Sequence, residues 1–134
     1  MTETKMKNTL STLLFATVAA LILMPGPAEA HHGYAAYDQT KVITLKATVT
    51  DFNFVNPHCV LEFEARDDRG QVQKWQGSLP SRSALTPKGW TANSLKTGDQ
   101  LTVSGYPAKS GAPSLWVTKI LQANGEELKL VHEN

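Results

Sequence analysis

The side chains of this chain best suited to hold a metal ion are its four histidines, His31, His32, His58 and His132, and its one cysteine, Cys59. His31 and His32 follow Ala28-Glu29-Ala30, the small-residue pattern of a leader-processing site. Cleavage after Ala30 leaves His31 with a free α-amine, and that amine can chelate a metal together with a nitrogen of its own ring. A neighbouring imidazole completes a nitrogen-rich, roughly planar set of the kind copper(II) prefers. The alternative amino-terminal copper motif needs histidine in third place. Gly33 stands there, which leaves the first-residue chelate or a His31/His32 pair. Binding requires deprotonated donors, and an α-amine titrates at about 7.7 to 8.0 and an imidazole at about 6.5, so affinity is expected to fall steeply in mild acid.

His58 follows Asn56-Pro57, where a fixed backbone presents a side chain reproducibly, and it is the natural third ligand. The stretch from His31 to Val42 reaches up to roughly 36 Å when extended, enough to fold back to His58. Two readings of these histidines stand. Either the three form a metal site, or the pair at the processing point is incidental and His58 hydrogen-bonds across its turn. His132, close to the other terminus, is expected to be frayed and exposed. Cys59 precedes alternating Leu61 and Phe63 and is expected to be a buried core thiol rather than a ligand beside His58. Glu62/Glu64 and Asp67/Asp68 read as a solvated strand face and a turn, and no catalytic residues are assigned.

The segment ahead of these residues is export machinery. Lys5 and Lys7 make a basic start, Leu13 to Met24 form a short apolar stretch, and Pro25-Gly26-Pro27 ends it. That stretch falls short of the ~20 residues of an ordinary membrane span. Residues 1–30 are therefore read as a secretory signal peptide and 31–134 as one domain, periplasmic or secreted and soluble after processing. Of the 13 basic and 12 acidic side chains the leader holds Lys5, Lys7, Glu3 and Glu29, so the remainder is near neutral. A near-neutral domain lacks the basic groove that nucleic acid requires. With one cysteine no internal disulfide can form, and the core alone must supply stability.

Positioning falls to strands. Residues 42 to 54 alternate and are rich in branched and aromatic types. Ile43, Leu45, Ala47 and Val49 share one face, whereas Phe52 and Phe54 fall on the other parity, which predicts a bulge within a long bent strand. Cys59 to Ala65 and Val72 to Gly77 are predicted strands around the turn Asp67-Asp68-Arg69-Gly70. Leu79 to Asp99 breaks the alternation. Ser81 to Leu85 predicts a serine-capped helical turn, and Asn93 to Lys96 a second one. Leu101 to Tyr106 and Leu115 to Leu121 are two further strands, and Asn124-Gly125 turns into a last strand from Glu126 to Val131. Tyr34 to Lys41 is expected to be a flexible lead-in. Trp75, Trp90 and Trp116 offer stacking platforms of the kind such barrels use for single-stranded nucleic acid or sugars, but strand tryptophans more often fill cores, so Trp75 and Trp116 are expected there, with Trp90 covering a barrel end or lining a pocket. The expected fold is mainly β: a small five- to six-stranded antiparallel Greek-key barrel, OB-fold-like, with a short helical connector between strands 3 and 4. A plain sandwich is the competing arrangement.

His31-His32-Gly33, Tyr37-Asp38, Val55-Asn56-Pro57-His58, Lys88-Gly89-Trp90, Leu95-Lys96-Thr97-Gly98-Asp99 and Val103-Ser104-Gly105-Tyr106 resemble a family of small exported bacterial proteins known only as a domain of unknown function. In that family the paired histidines usually precede a serine, and Asn-Pro-His usually follows a tryptophan-containing strand end. Gly33 and Phe54-Val55 stand in those places here. The resemblance spans residues 31–134; it implies export and one small β domain and carries no activity with it. Residues and resemblance together give the expectation of a non-enzymatic periplasmic binding module that handles copper through His31, His32 and His58. The rival is a metal-free domain that docks on an envelope protein or another ligand. A copper-using oxidative enzyme is the weakest of the three.

Overall fold

The computed structural model describes residues 33–130, so residues 1–30, His31, His32 and the end from Val131, with His132, lie outside the described residues. Six strands follow in chain order: β1 (Ile43–Asn53), β2 (Val60–Arg66), β3 (Val72–Ser78), β4 (Gln100–Pro107), β5 (Ser114–Gln122) and β6 (Glu127–Leu128). They pair in the order β3-β2-β1-β4-β5-β6, and β3 also pairs with β5 in parallel from Gln76↔Ser114 to Ser78↔Trp116. That last pairing closes five strands into a barrel, with β6 added outside the ring. Closure removes the open sheet edges a sandwich would leave. The expected small barrel is the observed one, and its seam is the one parallel pairing among the described strands.

Alternation sets the interior. Ala47 and Val49 of β1 face Ala65 and Phe63 of β2, and Leu45 and Ala47 face Val103 and Leu101 of β4. At Thr50 the register with β2 slips by one residue, so Val49 opposes Phe63 but Asp51 opposes Glu62. Phe52 is thereby turned to the same side as Val49 and packs against the core, as the parity switch predicts. A second slip, between Ser104 and Gly105, falls where β5 carries Thr118, and it returns Ile120 to the interior after Leu115 and Val117. Cys59, Leu61, Phe63, Leu79, Leu85, Val103, Leu115, Val117 and Ile120 are essentially without solvent contact.

The connector after β3 opens with α1 (Arg82–Leu85), whose preceding Ser81 accepts a hydrogen bond on its hydroxyl from the Ala84 N–H, the expected cap. One 3-10 turn (Thr86–Lys88) follows. The second expected helix is not there: Asn93 to Lys96 forms turns. The Thr91, Asn93 and Lys96 amides donate instead to Ser94 Oγ, Thr91 Oγ1 and Asp99 Oδ2, a local side-chain network that outcompetes helical bonding. β6 stops at Leu128 rather than Val131. Just past β6 the Lys129 carbonyl accepts the Trp90 indole N–H at 2.9 Å, and Trp90 is buried in the core cluster with Phe52 beside it. Among the described residues no helix is long and apolar enough to cross a membrane.

Tyr34 to Lys41 is not a loose lead-in. Tyr34–Ala36 forms a 3-10 turn, and the Asp38 and Lys109 amides exchange hydrogen bonds with the Pro107 and Ala36 carbonyls. Tyr37 forms a bridge to Ala108, is buried, and shares a hydrogen bond with Ser114 Oγ at 3.1 Å. Residues 34–41 are thus a strap bound along the β4–β5 hairpin. Beyond it, the Asp38 carboxylate accepts from the Thr40 hydroxyl and amide and lies 3.3 Å from Lys41 Nζ. The Thr40 hydrogen bonds first, and Lys41 after them, hold its carboxyl below the ordinary 3.8. A carboxyl depressed in the folded state adds stability above its unfolded pKa and loses it as pH falls through the folded one. Asp38→Asn is therefore expected to leave less stability to lose between about pH 4 and pH 2, read as a smaller drop in the urea midpoint over that interval.

Candidate functional site

The turn carrying His58 is held from both shoulders. On one side the Asn56 carboxamide oxygen accepts from the Ser83 amide at 3.1 Å and from the Ser83 hydroxyl at 3.2 Å, while the Arg82 amide donates to the Val55 carbonyl. On the other, Cys59 exchanges backbone bonds with Pro80 and Leu79, and its side chain is fully buried in the core. Between these two pins Pro57 and His58 stand exposed. The holding of the turn, one of the two roles open for His58, belongs to Asn56. Replacing Asn56 by alanine removes both bonds and is expected to cost about 1 kcal/mol of unfolding free energy in a denaturant titration.

His58 makes no hydrogen bond with another described residue, and its ring stands edge-on to Trp116, 5.8 Å between centres. Trp116 is on the outer face of β5, opposite Tyr106 of β4, and is half-buried because other rings cover it. Tyr34 packs on it at 5.1 Å and Tyr37 at 5.9 Å, and Tyr34 also meets Tyr106 at 6.0 Å. All three tyrosines of the chain converge here. Trp116 is therefore not the core residue expected of a strand tryptophan; it is the hub of an external aromatic platform. The signal for this lay in parity, because Trp116 alternates with the inward Leu115 and Val117. Desolvation against these rings, and then the phenol of Tyr106 beside it, raise the Tyr34 hydroxyl above its usual pKa.

The remaining candidates divide clearly. The Cys59 thiol is pushed up by burial, only partly offset by its contact to the Val55 carbonyl, so it is a core group rather than a thiolate beside His58. Trp75 lies stacked on Phe63, and Trp90 is buried with its indole N–H on the Lys129 carbonyl. Asp67 is a turn residue, its Oδ1 taking the Arg69 and Gln71 amides, and Glu62 and Glu64 lie on the outer face of β2. Among the described residues no three His, Cys, Asp or Glu side chains come together as a metal set. His31, His32 and His132 lie outside the described residues.

What the structure does bring together is His58 and the start of the strap. Tyr34, three places after His31, and His58 rest on the same indole, separated by no more than the two legs of 5.1 and 5.8 Å. Compared with known protein families, residues 19–115 match the model of a family of unknown function. No curated protein matches.

Proposed function

The chain belongs to that family, DUF6152, and from this premise we propose that it is an exported, non-enzymatic module that handles copper in the periplasm through His31, His32 and His58. One observation carries the reading: Tyr34 and His58 share Trp116, so an amino terminus at His31 is tethered within about 11 Å of Tyr34 and can reach the exposed imidazole. Removal of residues 1–30 creates the α-amine. The amine and ring of His31 supply a chelate, His58 approaches from the rigid β1–β2 turn, and His32 is the adjacent spare donor. Nitrogen donors in this number favour copper(II) over harder cations. Asn56 and Cys59 hold the His58 turn and the strap holds Tyr34, so the imidazole is presented with little ordering left to do on binding.

A copper(II) titration at neutral pH of the protein recovered after export tests this. One equivalent is expected to bind, with affinity at least about tenfold lower in His58→Ala. An absence of saturable binding contradicts the reading. Exposure of Tyr34 (44%) and Val55 (46%) on this side supports a second reading, a metal-free surface for an envelope partner. Under that reading copper leaves the protein untouched and Tyr34→Ala weakens partner capture.

A further inference from the structure

The strap has no covalent fastening. Cys59 is the one cysteine, and it is buried, so no disulfide can tie residues 34–41 to the barrel. The aromatic platform offers a different bond. Tyr34, on the strap, and Tyr106, on β4, meet edge to face at 6.0 Å and 64°. Tyr34 is 44% exposed on the strap, and Tyr106 stands opposite Trp116 in the barrel wall. Trp116 touches Tyr34 at 5.1 Å, so a one-electron hole formed on the indole lies beside a phenol that can lose its proton to solvent. Tyr37 is withheld from this chemistry, being buried with its hydroxyl bonded to Ser114.

We propose that Tyr34 and Tyr106 are an oxidative coupling site whose product, a carbon–carbon dityrosine bridge, fastens the amino-terminal strap to the barrel. Each phenol gives up one electron and one proton, and the two phenoxyl radicals join at ring carbons next to their oxygens. Both coupled carbons then lose their hydrogens to the phenoxyl oxygens by tautomerisation. The oxidant class is a peroxide acting through one-electron steps: one hydrogen peroxide takes the two electrons and two protons and leaves as two waters. The proposal stands apart from the copper reading, because any one-electron oxidant at this surface serves.

The experiment is to treat dilute, exported protein with a haem peroxidase and limiting hydrogen peroxide, isolate the monomer, and map its peptides by mass spectrometry. The expected product joins the Tyr34 peptide to the Tyr106 peptide, lighter by two hydrogens than their sum, with dityrosine fluorescence. Tyr37→Phe is expected to retain it, and Tyr34→Phe to lower the monomer's fluorescence at least about tenfold. Monomer without the bridge, a bridge through Tyr37, or bridges only between chains would overturn the assignment. The map of the unsubstituted protein decides this even if a variant fails to fold. Copper titration is a separate measurement, so the failure of one proposal is distinguishable from that of the other.

Discussion

Replacing Gly105 by alanine is expected to destabilise the barrel by about 3 kcal/mol or more, the largest loss anticipated for a single methyl group in this chain. Gly105 lies at the register slip between β4 and β5, where the extra residue Thr118 bends β5 inward. A β-carbon placed there collides with the Trp116 carbonyl, and the atoms it meets are backbone of the adjoining strand. Neither strand can withdraw without opening the ladder that holds both Trp116 and Tyr106. Gly77 gives the internal comparison. There the added carbon comes within 2.7 Å of a Val117 methyl, a side-chain end, so Gly77→Ala is expected to cost less than Gly105→Ala. Urea unfolding of both variants measures the difference. Equal stability of Gly105→Ala and the parent would mean that the two strands do not approach as closely as described.

Lowering the pH from about 7.5 to about 5.5 is expected to weaken copper(II) binding by nearly two decades through the α-amine alone, because a nitrogen donor must shed its proton before it ligates and an α-amine ordinarily titrates at about 7.7 to 8.0. The amine's share of the fall identifies the terminus as a donor, since it disappears when that amine is acetylated. A competition titration against a chelator at several pH values therefore separates a clamp that includes the terminus from a simple histidine pair.

Much of the barrel was legible because its signals are local. The parity change from Val49 to Phe52 announced the β1 bulge, Ser81 announced α1, and Asn124-Gly125 announced the last turn, where Gly125 has φ of +87°. The same kind of signal, Leu115 and Val117 followed by Ile120, marks the β5 slip. Long-range contacts were not legible. Nothing near Asn56 in the sequence reveals that its amide pins Ser83, and nothing near Tyr34 reveals a partner on Trp116. The strap looked flexible because residues 34–41 lack alternation, yet its order comes from hydrogen bonds to residues beyond Tyr106 that only the closed barrel brings near. The Asn93–Lys96 segment is no helix for a local reason, since the side chains of Ser94 and of the flanking Thr91 and Asp99 take amides in and beside it. Of the candidate site, His58 was legible as a side chain displayed by a proline turn. Its aromatic seat was not.

The proposed metal donor set exists only once processing has freed the His31 α-amine. The most direct test of this is a copper(II) titration at neutral pH of the chain beginning at His31, compared with the same chain carrying an acetylated amino terminus. Acetylation turns the α-amine into an amide, leaves every side chain in place and, unlike an added residue, does not bring His32 to the third place of a new amino-terminal motif. An affinity at least about a hundredfold lower is expected for the acetylated chain. Equal affinity of the two chains, or no binding by either, would contradict it.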